Sequence, residues 1–203
     1  MASHILGQGA DGIYLFNYYF GDLYDRQHNG TPLLEEGEQV RRTRTPELLH
    51  ELGTLETLKG RNKIYCMSDG VTDAYRALGI SQLPATVSSG RATTLSFFIA
   101  DSLQNNQPEE MILFLRTDRP ANFNLQVNDT VITEQKPEYV ELYDRDRGMR
   151  TENRMYAFIL PAGSLHQGEN TIRMVDQTLD NYFVVERVEV ALKYGDVKTH
   201  GYF

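Results

Sequence analysis

The chain has 203 residues, 40% of them hydrophobic, with 12 Tyr and 9 Phe, enough to build a packed core without covalent staples. Its formal net charge of −8 argues against nucleic acid and anionic membranes as partners, because both require a basic face. The single cysteine, Cys66, excludes an intrachain disulfide, and no apolar run approaches the ~20 residues of a membrane-spanning helix.

The lone thiol is expected to be a buried, inert side chain. Met1 to Gly7 has neither a basic start nor a long apolar stretch, so it does not read as a secretion signal, and localisation is left open. Composition shifts near residue 85. The expected division is an N-terminal β/α segment over 1–84, a β-sandwich over 85–196 and a tail over 197–203.

Gly12-Ile13-Tyr14-Leu15-Phe16-Asn17-Tyr18-Tyr19-Phe20 is a nearly continuous apolar run, the pattern of a strand buried on both faces. A polar loop follows over 21–44. Thr45-Pro46 then opens a helix, with Thr45 as N-cap and Pro46 at the first helical position. Leu48, Leu49, Leu52, Leu55 and Leu58 follow at helical spacing, Gly53 breaks the pattern, and Gly60 is placed to terminate it. Residues 62–67 read as a short extended piece and 68–83 as a weakly patterned linker.

Beyond residue 85 the period changes to two. Strands are expected at 94–99, 111–116, 122–128, 139–143, 155–160, 171–175 and 182–194. In 122–128, Phe123, Leu125 and Val127 share the inner face. In the last strand, Val184, Val188, Val190, Leu192 and Tyr194 are expected on one face. Turn residues separate the segments: Asn105-Asn106-Gln107-Pro108, Arg119-Pro120, Asn128-Asp129 and Gly168-Glu169-Asn170. The spacing predicts a mainly β fold, an antiparallel sandwich or jelly roll.

Several motifs fail on physical grounds. Gly7-x-Gly9-x-x-Gly12 precedes a strand, whereas a dinucleotide fingerprint must follow one and open a helix. Asp144-Arg145-Asp146-Arg147-Gly148 begins like a calcium loop, but Met149 and Met155 stand where the glycine and the bidentate glutamate should be. The histidines are scattered without an i, i+4 pair, and no Gly-x-Ser-x-Gly elbow occurs. Asn29-Gly30-Thr31 and Asn128-Asp129-Thr130 fit a glycosylation pattern too short to be informative. No cofactor is therefore expected.

Gly9-Ala10-Asp11-Gly12-Ile13-Tyr14-Leu15-Phe16-Asn17, a loop, and Leu48-Leu49-His50-Glu51-Leu52-Gly53-Thr54-Leu55-Glu56-Thr57-Leu58 together resemble the last β/α unit of glycoside-hydrolase-like TIM-barrel proteins. The resemblance covers residues 5–67. The later segment is similar to galactose-binding-like jelly-roll modules, on Phe123-Asn124-Leu125-Gln126-Val127-Asn128, Tyr156-Ala157-Phe158-Ile159-Leu160-Pro161, Leu165-His166-Gln167-Gly168-Glu169-Asn170-Thr171-Ile172 and Val185-Glu186-Arg187-Val188-Glu189-Val190. A full barrel needs roughly 250 residues. The strands that would carry the acid and nucleophile are not in this chain, so the resemblance supplies no catalytic residue. It implies the C-terminal part of a larger protein, and a structural calcium is compatible with such modules although no residue here indicates one.

The expected function is a non-catalytic accessory module that binds glycan or buttresses a barrel. Sugar recognition needs aromatic faces ringed by planar polar groups. Two loops qualify: Tyr143, Asp144, Arg145 and Arg147, and Asp180, Asn181 and Tyr182. The absence of Trp counts against a broad aromatic platform. A structural domain without a small ligand and an active hydrolase fragment stay open. An isolated apolar run at 13–20 is expected to pack on the sandwich or to form a homodimer.

Overall fold

The computed structural model describes residues 6–9, 54–67, 81–140, 154–178 and 182–195. Two compact units divide between Lys59 and Gly60. In the first, helix α1 (Leu55–Leu58) begins just after Gly53, with Thr54 as its N-cap in a reciprocal capping box with Thr57. Gly60 follows the helix at φ +64°, the left-handed conformation that a side chain would strain. The strand expected over 12–20 and the helix start at Thr45 lie outside the described residues, as does the packing expected of 13–20.

The second unit is mainly β, two antiparallel sheets facing one another. The strands are β1 (Lys63–Met67), β2 (Ala85–Ser88), β3 (Thr93–Ile99), β4 (Glu110–Thr117), β5 (Phe123–Val127), β6 (Thr130–Ile132), β7 (Met155–Ile159), β8 (Gly168–Asp176) and β9 (Tyr182–Lys193). One sheet has the order β1-β9-β4-β7, with β2 also on β9; the other is β3-β8-β5-β6. Thus β9 carries β4 along one side and both β1 and β2 along the other. The strand at 63–67 already belongs to the sheet, well ahead of the composition shift near 85.

Alternation places Leu95, Phe97 and Ile99 from β3, Leu125 and Val127 from β5, and Ile172 and Met174 from β8 in the inter-sheet core. Opposite them stand Met111, Leu113 and Leu115 from β4 and Val188, Val190 and Leu192 from β9. The intervening β4 residues Ile112 and Phe114 face the other way, into a second cluster with Met155, Ala157 and Ala191. Ile112 and Phe114 are fully buried, so β4 is apolar on both faces. Burial of each such side chain stabilises by about 1.5–3 kcal/mol.

Four expectations change. Val184 does not share a face with Val188. Arg116 pairs with Arg187 and Thr117 with Val185, so β9 holds one extra residue, Glu186, and the phase of the strand flips there. Phe183 and Val185 therefore point inward, as do Val188 and Val190 beyond the bulge. Of the strand expected at 139–143, Tyr139 and Val140 belong to a helical turn over 137–140 opened by Pro137, and 141–143 lie outside the described residues. Cys66 is exposed rather than buried, because Tyr65 takes the inward position on β1; its thiol donates to Glu189 Oε1 at 3.3 Å. Strands β2 and β6, absent from the expected set, complete the two sheets.

The Gly-x-Asn step has a local cause. Asn170 is fully buried, and its amide donates to the carbonyls of His166 (2.8 Å) and Gly168 (2.9 Å). Its Oδ1 accepts from the His166 N–H and from Asn128 Nδ2. Asn128 itself sits in the β5–β6 hairpin turn at φ 49° and caps Thr171. Its amide nitrogen is engaged in the interior with Ser164 and Asn170, so the glycosylation pattern at Asn128 is a turn motif. Replacing Asn170 with Ala removes its hydrogen bonds to the His166 N–H and to the His166 and Gly168 carbonyls, while Asn128 Nδ2 keeps the Ser164 carbonyl. The expected loss is about 3 kcal/mol, read as a lower urea midpoint with an unchanged m-value.

Candidate functional site

One end of the sandwich gathers the β4–β5 connection, the start of β9 and the entry to β7. Beneath it lies an aromatic cluster. Phe123 packs edge-on against Tyr156 with centroids 5.2 Å apart, and its ring is also 5.2 Å from that of Phe183. The Tyr156 hydroxyl donates to the Ala121 carbonyl (2.9 Å) and meets the Ala121 N–H at 2.7 Å, fixing the loop from inside.

The same loop is tied to β9. The Asp118 N–H donates to the Val184 carbonyl, and Asp118 Oδ1 accepts from the Val184 N–H at 2.7 Å. Arg154 Nη1 donates to the Asp118 carbonyl, and the Thr117 hydroxyl, itself buried, donates to the Arg119 carbonyl at 2.6 Å. On the far side, Asp176 accepts from the Thr178 N–H and hydroxyl, closing the first turn after β8.

This frame presents two side chains. Arg119 donates through Nε (2.9 Å) and Nη2 (2.7 Å) to Asp118 Oδ2, and its guanidinium carbon lies 5.2 Å from the centre of the Tyr182 ring. Tyr182 is 52% exposed, one of three large hydrophobic residues so open among those described. Burial acts to raise the Asp118 pKa, but the Arg119 hydrogen bonds, the Val184 N–H and the Arg119 charge outweigh it and hold the carboxyl below the usual range. The guanidinium is correspondingly pushed up by Asp118. The result is a neutral polar pair in the turn after β4, beside an exposed aromatic ring at the start of β9.

Of the loop residues expected to meet a ligand, Tyr182 is placed here. Tyr143, Asp144, Arg145, Arg147, Asp180 and Asn181 lie outside the described residues. Asp118 and Arg119 were missed, since Arg119-Pro120 reads only as a turn. The signal that could have found them is topological: a turn after the fourth strand must lie at the same end as the start of the ninth if the two strands are antiparallel neighbours.

A second polar group occupies the opposite end. Lys63 Nζ donates to Asp101 Oδ1 at 2.7 Å, the Tyr65 hydroxyl donates to Asp101 Oδ2, and the Ala100 N–H donates to the Tyr65 oxygen. All three side chains are mostly buried, and the acid is fully engaged, which marks a structural clasp. Burial and the Asp101 charge push the Tyr194 phenol well above its ordinary value. Among the described residues no cluster of three or more His, Cys, Asp or Glu is arranged to hold a metal ion. No family model matches this chain, and no curated protein matches it significantly.

Asp118 yields a pH test. Its depressed pKa means its contribution is present above the unfolded value of about 3.9 and disappears as pH falls through the lower folded value. Asp118→Ala is expected to lose about 1 kcal/mol at neutral pH, chiefly the Val184 N–H bond, because the exposed Arg119 pair contributes little. The gap between wild type and variant in urea melts should narrow as pH falls below the ordinary carboxylate range.

Proposed function

We propose that this chain is a non-catalytic accessory β-sandwich, of the galactose-binding-like jelly-roll type, from a glycoside-hydrolase-like protein, and that the Tyr182 end contacts carbohydrate. The observation that carries the binding reading is an exposed tyrosine at the start of β9 beside an Asp118–Arg119 pair whose Asp118 is hydrogen-bonded to Val184 of the same strand. A sugar ring offers an apolar face to stack and hydroxyls around its edge to bond, and this surface offers both complements. Preorganisation lowers the entropy cost of binding a weakly held neutral ligand.

The acids support a non-catalytic role. The three buried ones described are each engaged: Asp101 with Lys63 and Tyr65, Asp176 with Thr178, and Glu189 with Cys66 and Arg187. A glycosidase needs two carboxyls facing one cleft, one of them able to release a proton.

A buttressing role is the second reading, and the five-stranded sheet favours it. Its outer face carries a buried apolar cluster, Ile112, Phe114, Met155, Ala157 and Ala191, beside the polar Glu189.

Glycan-array binding by the chain separates the two. In the binding reading, Tyr182→Ala reduces the signal about tenfold or more while the circular dichroism spectrum is retained. Silence on the array, with a full hydrophobic layer retained, would leave buttressing. Release of the aryl group from an aryl glycoside by this chain alone would overturn the non-catalytic reading.

A further inference from the structure

At the Tyr182 end, strand pairing lines up three residues from neighbouring stretches of chain. Ser88 of β2 stands opposite Tyr182 of β9 on one side and opposite Arg91, across the β2–β3 turn, on the other. Directly opposed residues of an antiparallel pair direct their side chains to one face. Here that face is the outer one, because the next pair along, Val87 and Phe183, is buried in the core. Tyr182 and Arg91 therefore share a surface with Ser88 between them, two strand spacings or roughly 10 Å apart at the backbone.

The charges around this row are unevenly matched. Asp118 answers Arg119, Glu186 answers Arg116, and both carboxylate oxygens of the buried Asp176 accept from the Thr178 hydroxyl. Arg91 is exposed, and its side chain makes no hydrogen bond or ion pair with a described residue. Arg119 sits over the Tyr182 ring, yet half of that tyrosine stays open to solvent. A sugar stacked on the open part of the ring would have, in the same row, a guanidinium matched to no described acid.

We propose that Arg91 selects sugars carrying an anionic substituent, a carboxylate or a sulfate, at the Tyr182 surface; this rests on the reading of that surface as carbohydrate-binding. Tyr182 and the Asp118–Arg119 pair would hold a neutral sugar weakly, by stacking and by hydrogen bonds to hydroxyls. Arg91 would add two parallel charge-assisted hydrogen bonds from its planar fork to two oxygens of the anion. A chain of net charge −8 exerts no long-range pull on anions, so the selection is made in contact.

The test is binding of the full chain to an array on which each neutral glycan stands beside its uronic-acid and sulfate-ester counterparts. The wild type should bind at least one anionic form about tenfold more strongly than its neutral counterpart, and the form preferred tells carboxylate from sulfate. Arg91→Ala should bring that signal down to the neutral one while leaving the neutral signal and the circular dichroism spectrum unchanged. Arg91→Lys should keep part of the preference, because it keeps the charge and loses the fork. Tyr182→Ala should lower the neutral and anionic signals together. Equal wild-type signals for neutral and anionic forms, or a preference that survives Arg91→Ala, would overturn the role of Arg91 and leave the Tyr182 reading standing. Loss of the β spectrum in Arg91→Ala would overturn it too, by showing that Arg91 holds the fold. Binding to no member of the array would overturn both readings.

Discussion

The bulge at Glu186 sets the architecture around the longest strand. Twelve residues of unbroken β9 would keep one parity inward from end to end. Even-numbered residues are inward at Val188, Val190 and Leu192, so an uninterrupted strand would drive Tyr182 and Val184 into the core and turn Phe183 and Val185 out. The extra residue reverses this. Phe183 joins the aromatic cluster with Phe123, Tyr182 stands in solvent, and the Glu186 carboxylate at the bulge pairs with Arg116 at 3.3 Å. Bulges sharpen strand twist, and here the change falls between the half of β9 that pairs with β1 and the half that pairs with β2.

The two ends of the sandwich are finished differently. At one, Asn128 and Asn170 satisfy each other and the carbonyls of two loops, and Asp101 binds Lys63 and Tyr65. Those groups are turned inward and saturated. At the other, hydrogen bonds from Tyr156, Thr117 and Arg154 go to the loop backbone, which leaves Arg119 and Tyr182 facing out. A hydrogen-bonded backbone beneath exposed aromatic and planar polar side chains lowers the ordering cost of binding, and this asymmetry is why we propose the Tyr182 end, rather than the other, as a ligand-contacting surface.

The apolar outer face of the five-stranded sheet and the closed edge of the four-stranded sheet are aspects of one constraint. A sheet has two faces and two edges, and each must be covered, paired or made polar. Strand β4 is buried on both faces, β7 is paired at its edge by residues 134–136, and beside β3 the Gln82 amide bonds the Ser96 backbone while the Thr93 hydroxyl donates to the Thr86 carbonyl.

Period-two alternation by itself determined the mainly β class, the places of β3, β4, β5, β7, β8 and β9, and most of the inward residues, because the side-chain period of a strand is a local property of its backbone. The Gly-Glu-Asn turn was legible for the same reason, as local chemistry at a fixed offset. Tertiary structure decided the rest. Val184 and Tyr182 took their faces from a bulge that exists only because β9 must match β4, and Cys66 took its exposure from the inward demand of Tyr65. Residues 137–140 form a helical turn directly following the stretch at 134–136 that pairs with β7. The Asp118–Arg119–Tyr182 group joins residues more than sixty positions apart, and Gln82 finds its partner only when β3 lies at the edge of its sheet. Alternation states which side chains share a face; only pairing across sheets states which faces, edges and loops meet, because register is set by partners rather than by the strand itself.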